Sequence, residues 1–196
     1  MATAWPVAAR LACGDADRDH GSTYYGYSDG DTFLDARFHT PSGLALDSSG
    51  QLLLVADRDN NAIRVLDLAN DFTWTFTTNK VSKPVSVAMD ANTNVYVLSQ
   101  GNGKNGTVIT YNSITTDVVF TNATKLTNAT AMALDPAANI YLTVSNKLIR
   151  IAAGTANQTV ITTINIPGTI LQGIVVKHNG LIAACDSGRN GIYLID

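Results

Sequence analysis

Between Val55 and Leu68 the chain reads VADRDNNAIRVLDL, and five consecutive polar residues, Asp57, Arg58, Asp59, Asn60 and Asn61, separate two apolar runs. Two carboxylates, a guanidinium and two amides are the groups needed for proton transfer, for holding an anion, or for capping backbone amides in a turn. A second dense stretch is DADRDHG, where Asp15, Asp17 and Asp19 alternate as in a calcium-binding loop. Glycine falls at the seventh position instead of the sixth, and the twelfth position, which needs a bidentate glutamate, is Gly26. A weak Ca²⁺ site is the most this stretch supports, and no other cofactor is expected. The three histidines, His20, His39 and His178, would have to converge to hold a catalytic zinc. No G-x-S-x-G stretch is present, and no Ser–His spacing suggests a nucleophile.

Composition points to the scaffold that must position these groups. The 196 residues carry a net charge of −3, and all 16 acidic residues are aspartate. Glutamate favours helices, whereas aspartate and asparagine favour turns and threonine favours strands, so the chain leans to all-β structure. No basic cluster offers the several phosphate contacts that a nucleic-acid partner requires. No apolar run approaches the ~20 residues of a membrane-spanning helix. The first residues, MATAWPVAARLACG, lack a basic stretch followed by a long apolar one, so no signal peptide is expected. Cys13 and Cys185 lie far apart, outside any CxxC pair, and read as two thiols that pair only if the chain ends meet.

Self-comparison reveals a repeat of about 43 residues. PSGLALDSSGQLLLVAD from Pro41, PVSVAMDANTNVYVLS from Pro84, ATAMALDPAANIYLTVS from Ala129 and LQGIVVKHNGLIAACD from Leu171 align on Asp47, Asp90, Asp135 and Lys177. Each unit reads as a short strand, a tight turn, a second strand, a polar loop and a third strand. The third strands are AIRVLDL, GTVITY, KLIRIA and GIYLID, with Arg64 and Arg150 at corresponding places, which suggests a repeated structural role. A fourth strand follows three of them; in DFTWTFTT the aromatics Phe72, Trp74 and Phe76 alternate with threonines, giving one apolar and one hydroxyl face. The turn aspartates should accept backbone N–H bonds, with Gly50 in the left-handed region and Asn94 and Asn139 replacing it in the second and third units. Four antiparallel strands at this period are the pattern of a β-propeller blade.

The first unit, ARFHTPSGLALDSSGQLLLVADRDNNAIRVLDL, resembles the NHL repeats: an aromatic before Pro-x-Gly, a strand ending in Asp, Gly in the turn, and Ala-Asp-x-x-Asn-x-x-Ile-Arg. GYSDGDTFLDARF is similar to the segment that precedes such blades in bacterial extracellular proteins. The resemblance implies an all-β propeller or propeller segment of about four four-stranded blades, and no particular activity. The expected division is 1–37 as an outer strand plus linker, then blades at 38–80, 81–125, 126–165 and 166–196. The last lacks its outer strand, and PVAARLAC occupies an outer-strand position ahead of the first unit. Three arrangements follow: part of a longer ring, closure as four blades, or a homodimer completing eight.

In such a fold the loops between second and third strands share a face with the linkers. That face would gather Tyr24, Tyr25, Arg58, Asn60, Lys104 and Arg189, aromatic and basic anchors for a protein or glycan ligand. Asp57 and Asn60 read as turn formers, which leaves Arg58 and Asp59 for a partner. His178 falls on the opposite face from His20 and His39, which argues against shared zinc. The expected function is a non-catalytic binding or structural scaffold, extracellular or on the cell surface. The alternatives are a propeller lyase or hydrolase with a metal in the central channel, and an architectural subunit of a repeated assembly.

Overall fold

A computed structural model describes residues 25–177 and 179–196. Cys13, Asp15, Asp17, Asp19, His20, Tyr24 and His178 lie outside the described residues. So do the calcium reading, the pairing of Cys13 with Cys185 and the early outer strand.

The described chain is all-β and forms four antiparallel sheets. The first comprises β1 (Gly30–Asp31), β2 (Pro41–Leu46), β3 (Leu52–Asp57), β4 (Ala62–Asp67) and β5 (Phe72–Thr77), in the order β1-β5-β4-β3-β2. The second runs through β6 (Pro84–Met89), β7 (Val95–Ser99), β8 (Gly106–Tyr111) and β9 (Val118–Leu126). The third runs through β10 (Ala129–Leu134), β11 (Ile140–Val144), β12 (Lys147–Ile151) and β13 (Gln158–Thr163). The fourth has three strands, β14 (Leu171–Val176), β15 (Ile182–Asp186) and β16 (Gly191–Ile195). The first strands of successive sheets, β2, β6, β10 and β14, stand side by side.

Because side chains alternate along a strand, each sheet has two faces. Face A carries Leu44, Val55 and Arg64 in the first sheet, with Val87, Val97 and Ile109, then Met132, Leu142 and Ile149, then Ile174, Ala184 and Tyr193 at the paired positions of the others. Face B is the opposite side. Each face A packs on the face B before it: Val87, Val97 and Ile109 on Leu54, Val65 and Phe76; Met132, Leu142 and Ile149 on Tyr96, Leu98 and Val108; Ile174 and Ile182 on Tyr141 and Leu148. The fold therefore has a chain of inter-sheet cores. Each buried Leu, Ile or Val adds about 1.5–3 kcal/mol of transfer free energy, before the opposing chain entropy.

Inner strands are also tied by hydroxyls. Ser42 donates to the carbonyl of Pro84 (2.9 Å), Ser86 to that of Met132 (3.4 Å) and Thr130 to that of Leu171 (2.7 Å). The close approach of β2 and β6 explains the glycine of Pro-x-Gly: a Cβ on Gly43 would lie 2.9 Å from the Ser86 Cα and the Val85 carbonyl oxygen.

The turns follow the expected mechanism with one correction. The Oδ1 atoms of Asp47, Asp90 and Asp135 accept backbone N–H bonds from Gln51 and Leu52, Asn92 and Asn94, and Ala137 and Asn139, at 2.8–3.0 Å. The left-handed residue in the middle units is not asparagine. Thr93 (φ 64°) and Ala138 (φ 60°) take that place, matching Gly50 (φ 71°). Asn94 and Asn139 instead return their side-chain N–H groups to Asp90 and Asp135 (2.9 and 2.7 Å). A second correction concerns the arginines. Arg64 pairs with Val55, and Arg150 with Tyr141, one register step away from the Arg64 position, which Ile149 occupies. A single step reverses the face, so the two arginines point to opposite sides of their sheets.

Candidate functional site

The loop between β3 and β4 begins at Asp57, whose side chain is fully buried. Its Oδ1 accepts the N–H of His39 (2.7 Å), and its Oδ2 accepts from the Asn60 amide (2.8 Å) and Arg64 Nη1 (3.2 Å). Arg64, with no side-chain exposure, reaches from β4 into the segment that precedes β2. Nη1 donates to the Arg37 carbonyl (2.9 Å), and Nη2 donates to Asp29 Oδ1 (2.6 Å) and to the Ser28 carbonyl. Its guanidinium carbon lies 4.8 Å from the centre of the Phe38 ring and 5.2 Å from that of Tyr27. A guanidinium presents five donors in a fixed fork, so one side chain can hold a carboxylate on the sheet and two carbonyls and a carboxylate on the linker.

This clasp folds residues 25–38 onto face A of the first sheet. Ala36 and Phe38 cover Val55 and Leu66, and the Thr32 and Thr73 hydroxyls bond at 2.9 Å. The threonine face of β5 is therefore partly covered: Thr73 is buried, and Thr75 donates to Asp29 Oδ1 (3.1 Å). The Asn60 amide, a candidate partner contact in the sequence, is spent on the fold. It bonds to Gly26 O (2.6 Å) as well as to Asp57.

The residue left over, Asp59, is not free either. Its Oδ2 accepts the Thr40 hydroxyl at 2.8 Å. Arg58 Nη1, Lys83 Nζ and His39 Nε2 stand 3.5, 3.8 and 3.9 Å from its oxygens. The Thr40 hydroxyl bond first, and then the Arg58 and Lys83 charges, hold the Asp59 carboxyl below the usual carboxylate range against an opposing desolvation. The Thr40 hydroxyl and, at 3.5 Å, Arg58 Nη1 donate to Asp59, while the Lys83 ammonium stands beyond hydrogen-bond distance of it and keeps donor capacity for another acceptor. Arg58 Nη2 reaches Gln100 Oε1 on the second sheet (3.4 Å). Tyr25 stacks on His39, with ring centres 4.4 Å apart and planes 18° apart.

The structure thus joins Tyr25 and Arg58, both expected at the loop face, with His39, Asp59 and Lys83 across the seam of the first two sheets. Lys104, in the β7–β8 loop, and Arg189, in the β15–β16 loop, occupy the corresponding loops of other sheets. Lys104 is exposed, with its backbone N–H on Asn102 Oδ1 (3.1 Å), and Arg189 Nη1 donates to the Pro167 carbonyl (2.9 Å). Sequence reasoning passed over Lys83 and Gln100. Gln100 follows Ser99 as Arg58 follows Asp57, one repeat apart, so the alignment itself held the signal. Among the described residues, no group of three or more His, Cys, Asp or Glu is placed to hold a metal.

The NHL repeat family model matches residues 38–66, the unit that carries this loop. Over 39 residues the chain is 51% identical to NHL repeat-containing protein 2 of Bos taurus; the match covers 20% of this chain and 5% of that protein. Solved structures share the fold over most of the chain. A chain of the nidogen/laminin complex is similar with a TM-score of 0.67 and 18% identity, over 83% of this chain and 63% of that one. The WD40 β-propeller domain of Doa1 gives 0.64 and 14%, over 85% and 53%. A streptogramin B lyase gives 0.63 and 11%, over 86% and 54%. The described sheets thus span little more than half of each of these structures. Residues 38–66 are thus similar to an NHL repeat, within a chain whose sheets have a β-propeller architecture.

Proposed function

We propose that the chain is a non-catalytic binding module that engages a protein or glycan through the face bearing the β3–β4 loop. One observation carries the reading: Arg58, Lys83 and His39 gather around a single carboxylate beside the exposed Tyr25 ring, at the seam of two sheets. A basic, aromatic surface suits an acidic ligand group, since guanidinium and ammonium donors bond most strongly to anions. The fold of the nidogen/laminin complex supports a protein partner by analogy alone. Lys104 and Arg189 extend the surface along neighbouring loops. An extracellular or cell-surface site fits the resemblance of the linker to those of exported bacterial proteins. The reading includes assembly, with a second copy supplying further sheets.

The test uses two arrays: acidic twelve-residue peptides, and acidic and neutral oligosaccharides. Wild type should be retained on acidic members of one array, and the Arg58→Ser/Lys83→Ser double variant at least tenfold less. Absence of retention on both arrays, or retention that ignores the double variant, overturns the reading. The rival catalytic reading predicts a stoichiometric, tightly held Ca²⁺ or Zn²⁺ in the purified protein, measurable by elemental analysis.

A further inference from the structure

Among the described residues, the repeated packing of face A on face B leaves one face of each kind without a partner sheet. On the first sheet, residues 25–38 cover face A over β3, β4 and part of β5, and inner-strand Leu44 and Leu46 remain 65% and 54% exposed. On the fourth sheet, face B presents Val175, Ile192 and Leu194 at 60%, 73% and 70% exposure. A shallow apolar hollow of about 300 Å³ lies there, lined by Gly173, Val175, Ala183, Cys185 and Ile192 among others. Large aliphatic side chains grouped on a flat sheet are the mark of an interaction surface, whereas isolated ones are ordinary.

We propose that these two faces bind each other between copies: face B of the fourth sheet in one chain docks on face A of the first sheet in a second chain, at inner-strand Leu44 and Leu46 beside the covering segment 25–38. The chain itself shows what covers such surfaces. In all three internal gaps the occupant of a face B is the face A of a sheet of the same repeat, in the same direction each time. The inner-strand hydrogen bonds run in that direction too, from Ser42, Ser86 and Thr130 to the next sheet. β14 continues the series: Gln172 stands where Ser42 and Thr130 stand, exposed, with an amide able to donate to an inner-strand carbonyl. The contact is head-to-tail, since pairing two B faces would match none of the three gaps. It deepens the assembly part of the reading above and is independent of the loop-face ligand.

Two variants test it. Leu44→Asp disables face A, and Ile192→Lys/Leu194→Lys disables face B. All three positions are exposed, and circular dichroism checks the fold. By light scattering at about 100 µM, wild type should exceed the mass of one chain, and each variant alone should be monomeric. The two variants mixed one to one should form a species of twice the chain mass, because each still owns the face the other needs. A strictly monomeric wild type overturns the proposal. So does a Leu44→Asp variant that still dimerises, which would indicate B-to-B pairing, or a mixture that stays monomeric. Arg58→Ser should leave the mass unchanged, so failure of the loop-face reading is seen separately.

Discussion

The outer pair of sheets and the middle pair solve the same two local problems differently. At the end of the second strand, the first and fourth sheets place a buried aspartate, Asp57 and Asp186, where the second and third place Ser99 and Val144. At the left-handed turn position they use Gly50 and Gly180, where the middle sheets strain Thr93 and Ala138. The two aspartates also differ. Asp57 meets a guanidinium, whereas Asp186 accepts the N–H groups of Ile170 and Gly188 (2.8 and 3.0 Å) and lies 3.4 Å from the Tyr193 hydroxyl. What covers face A accounts for this. Over the first sheet lies a linker whose carbonyls at Ser28 and Arg37 need donors in a dry place, and Arg64 supplies them. Over the fourth lies the apolar face of the third sheet, so the Arg64 position can be Tyr193. In the second and third sheets it is Ile109 and Ile149. A buried charge is kept where irregular backbone must be satisfied and is dispensable where another sheet does the covering.

The strongest way to break this contrast is Arg64→Leu. The buried Asp57 carboxylate would lose its cation and the Arg37 carbonyl its Arg64 donor, a loss of about 3–5 kcal/mol in urea unfolding. Adding Asp57→Asn should return part of that loss, because an uncompensated carboxylate is the larger share. A single-variant loss below about 1 kcal/mol would mean that the clasp is not needed. Next in size, Asp57→Asn should destabilise more than Asp186→Asn in the same assay, since only the former takes a fully buried carboxylate partner from a guanidinium.

Acid sharpens the same contrast. Burial pushes the Asp186 carboxyl up, but its N–H bonds outweigh that and hold it below the usual value of 3.8. A carboxyl with a depressed folded pKa stabilises fully above its unfolded pKa and loses that contribution as pH falls through the folded value. Asp47, Asp59, Asp67 and Asp135 shift in the same direction. Stability should therefore fall below about pH 4, and Asp186→Asn should flatten that limb of a pH–stability curve. At the alkaline end, burial pushes Tyr96 and Tyr111 of the second sheet up to about 12, with Asp90 adding to the rise at Tyr96. For these groups the folded state favours the neutral phenol, so their contribution is present below pH 10 and is lost as pH rises from 10 towards 12. Absorbance at the phenolate band should show two tyrosines ionising late.

The smallest effect expected concerns the turns. Thr93→Gly should raise stability by roughly 1 kcal/mol, and Gly50→Ala should lower it by a similar amount, because a Cβ in the left-handed region meets the following carbonyl. Equal melting temperatures for Thr93→Gly and wild type would show that the Ser113–Thr93 hydroxyl bond (3.0 Å) offsets the strain.

Much of this was legible in the residues. The period of about 43, the three strands of each unit and the turn aspartates all rest on local chemistry that acts within a few residues. The identity of the turn's left-handed residue was not legible, because propensity favours asparagine while the actual spacing puts Thr93 and Ala138 there and leaves Asn94 and Asn139 to cap the aspartate. Nor was the relation of Arg64 to Arg150: relative to the first unit, the third has a turn one residue shorter and a loop two residues shorter before its third strand, and only the strand pairing shows that the two arginines fall on opposite faces. At the candidate site, Arg58 and Tyr25 stood out by type. Asp59 looked free because its partners Thr40 and Lys83 come from outside its own loop.

The sequence alone determined the repeat, the all-β class and the location of polar knots between strands, since alternation and turn chemistry are properties of neighbouring residues. Only the tertiary structure decided which members of the knot are committed to the fold and which remain for a partner. Arg64, Asp57 and Asn60 are drawn into a clasp because residues 25–38 bring backbone carbonyls onto a buried face. Arg58, Lys83 and His39 share one carboxylate because two sheets meet there. Hydrogen-bond accounting of that kind runs between segments tens of residues apart, and it is settled only when the sheets pack.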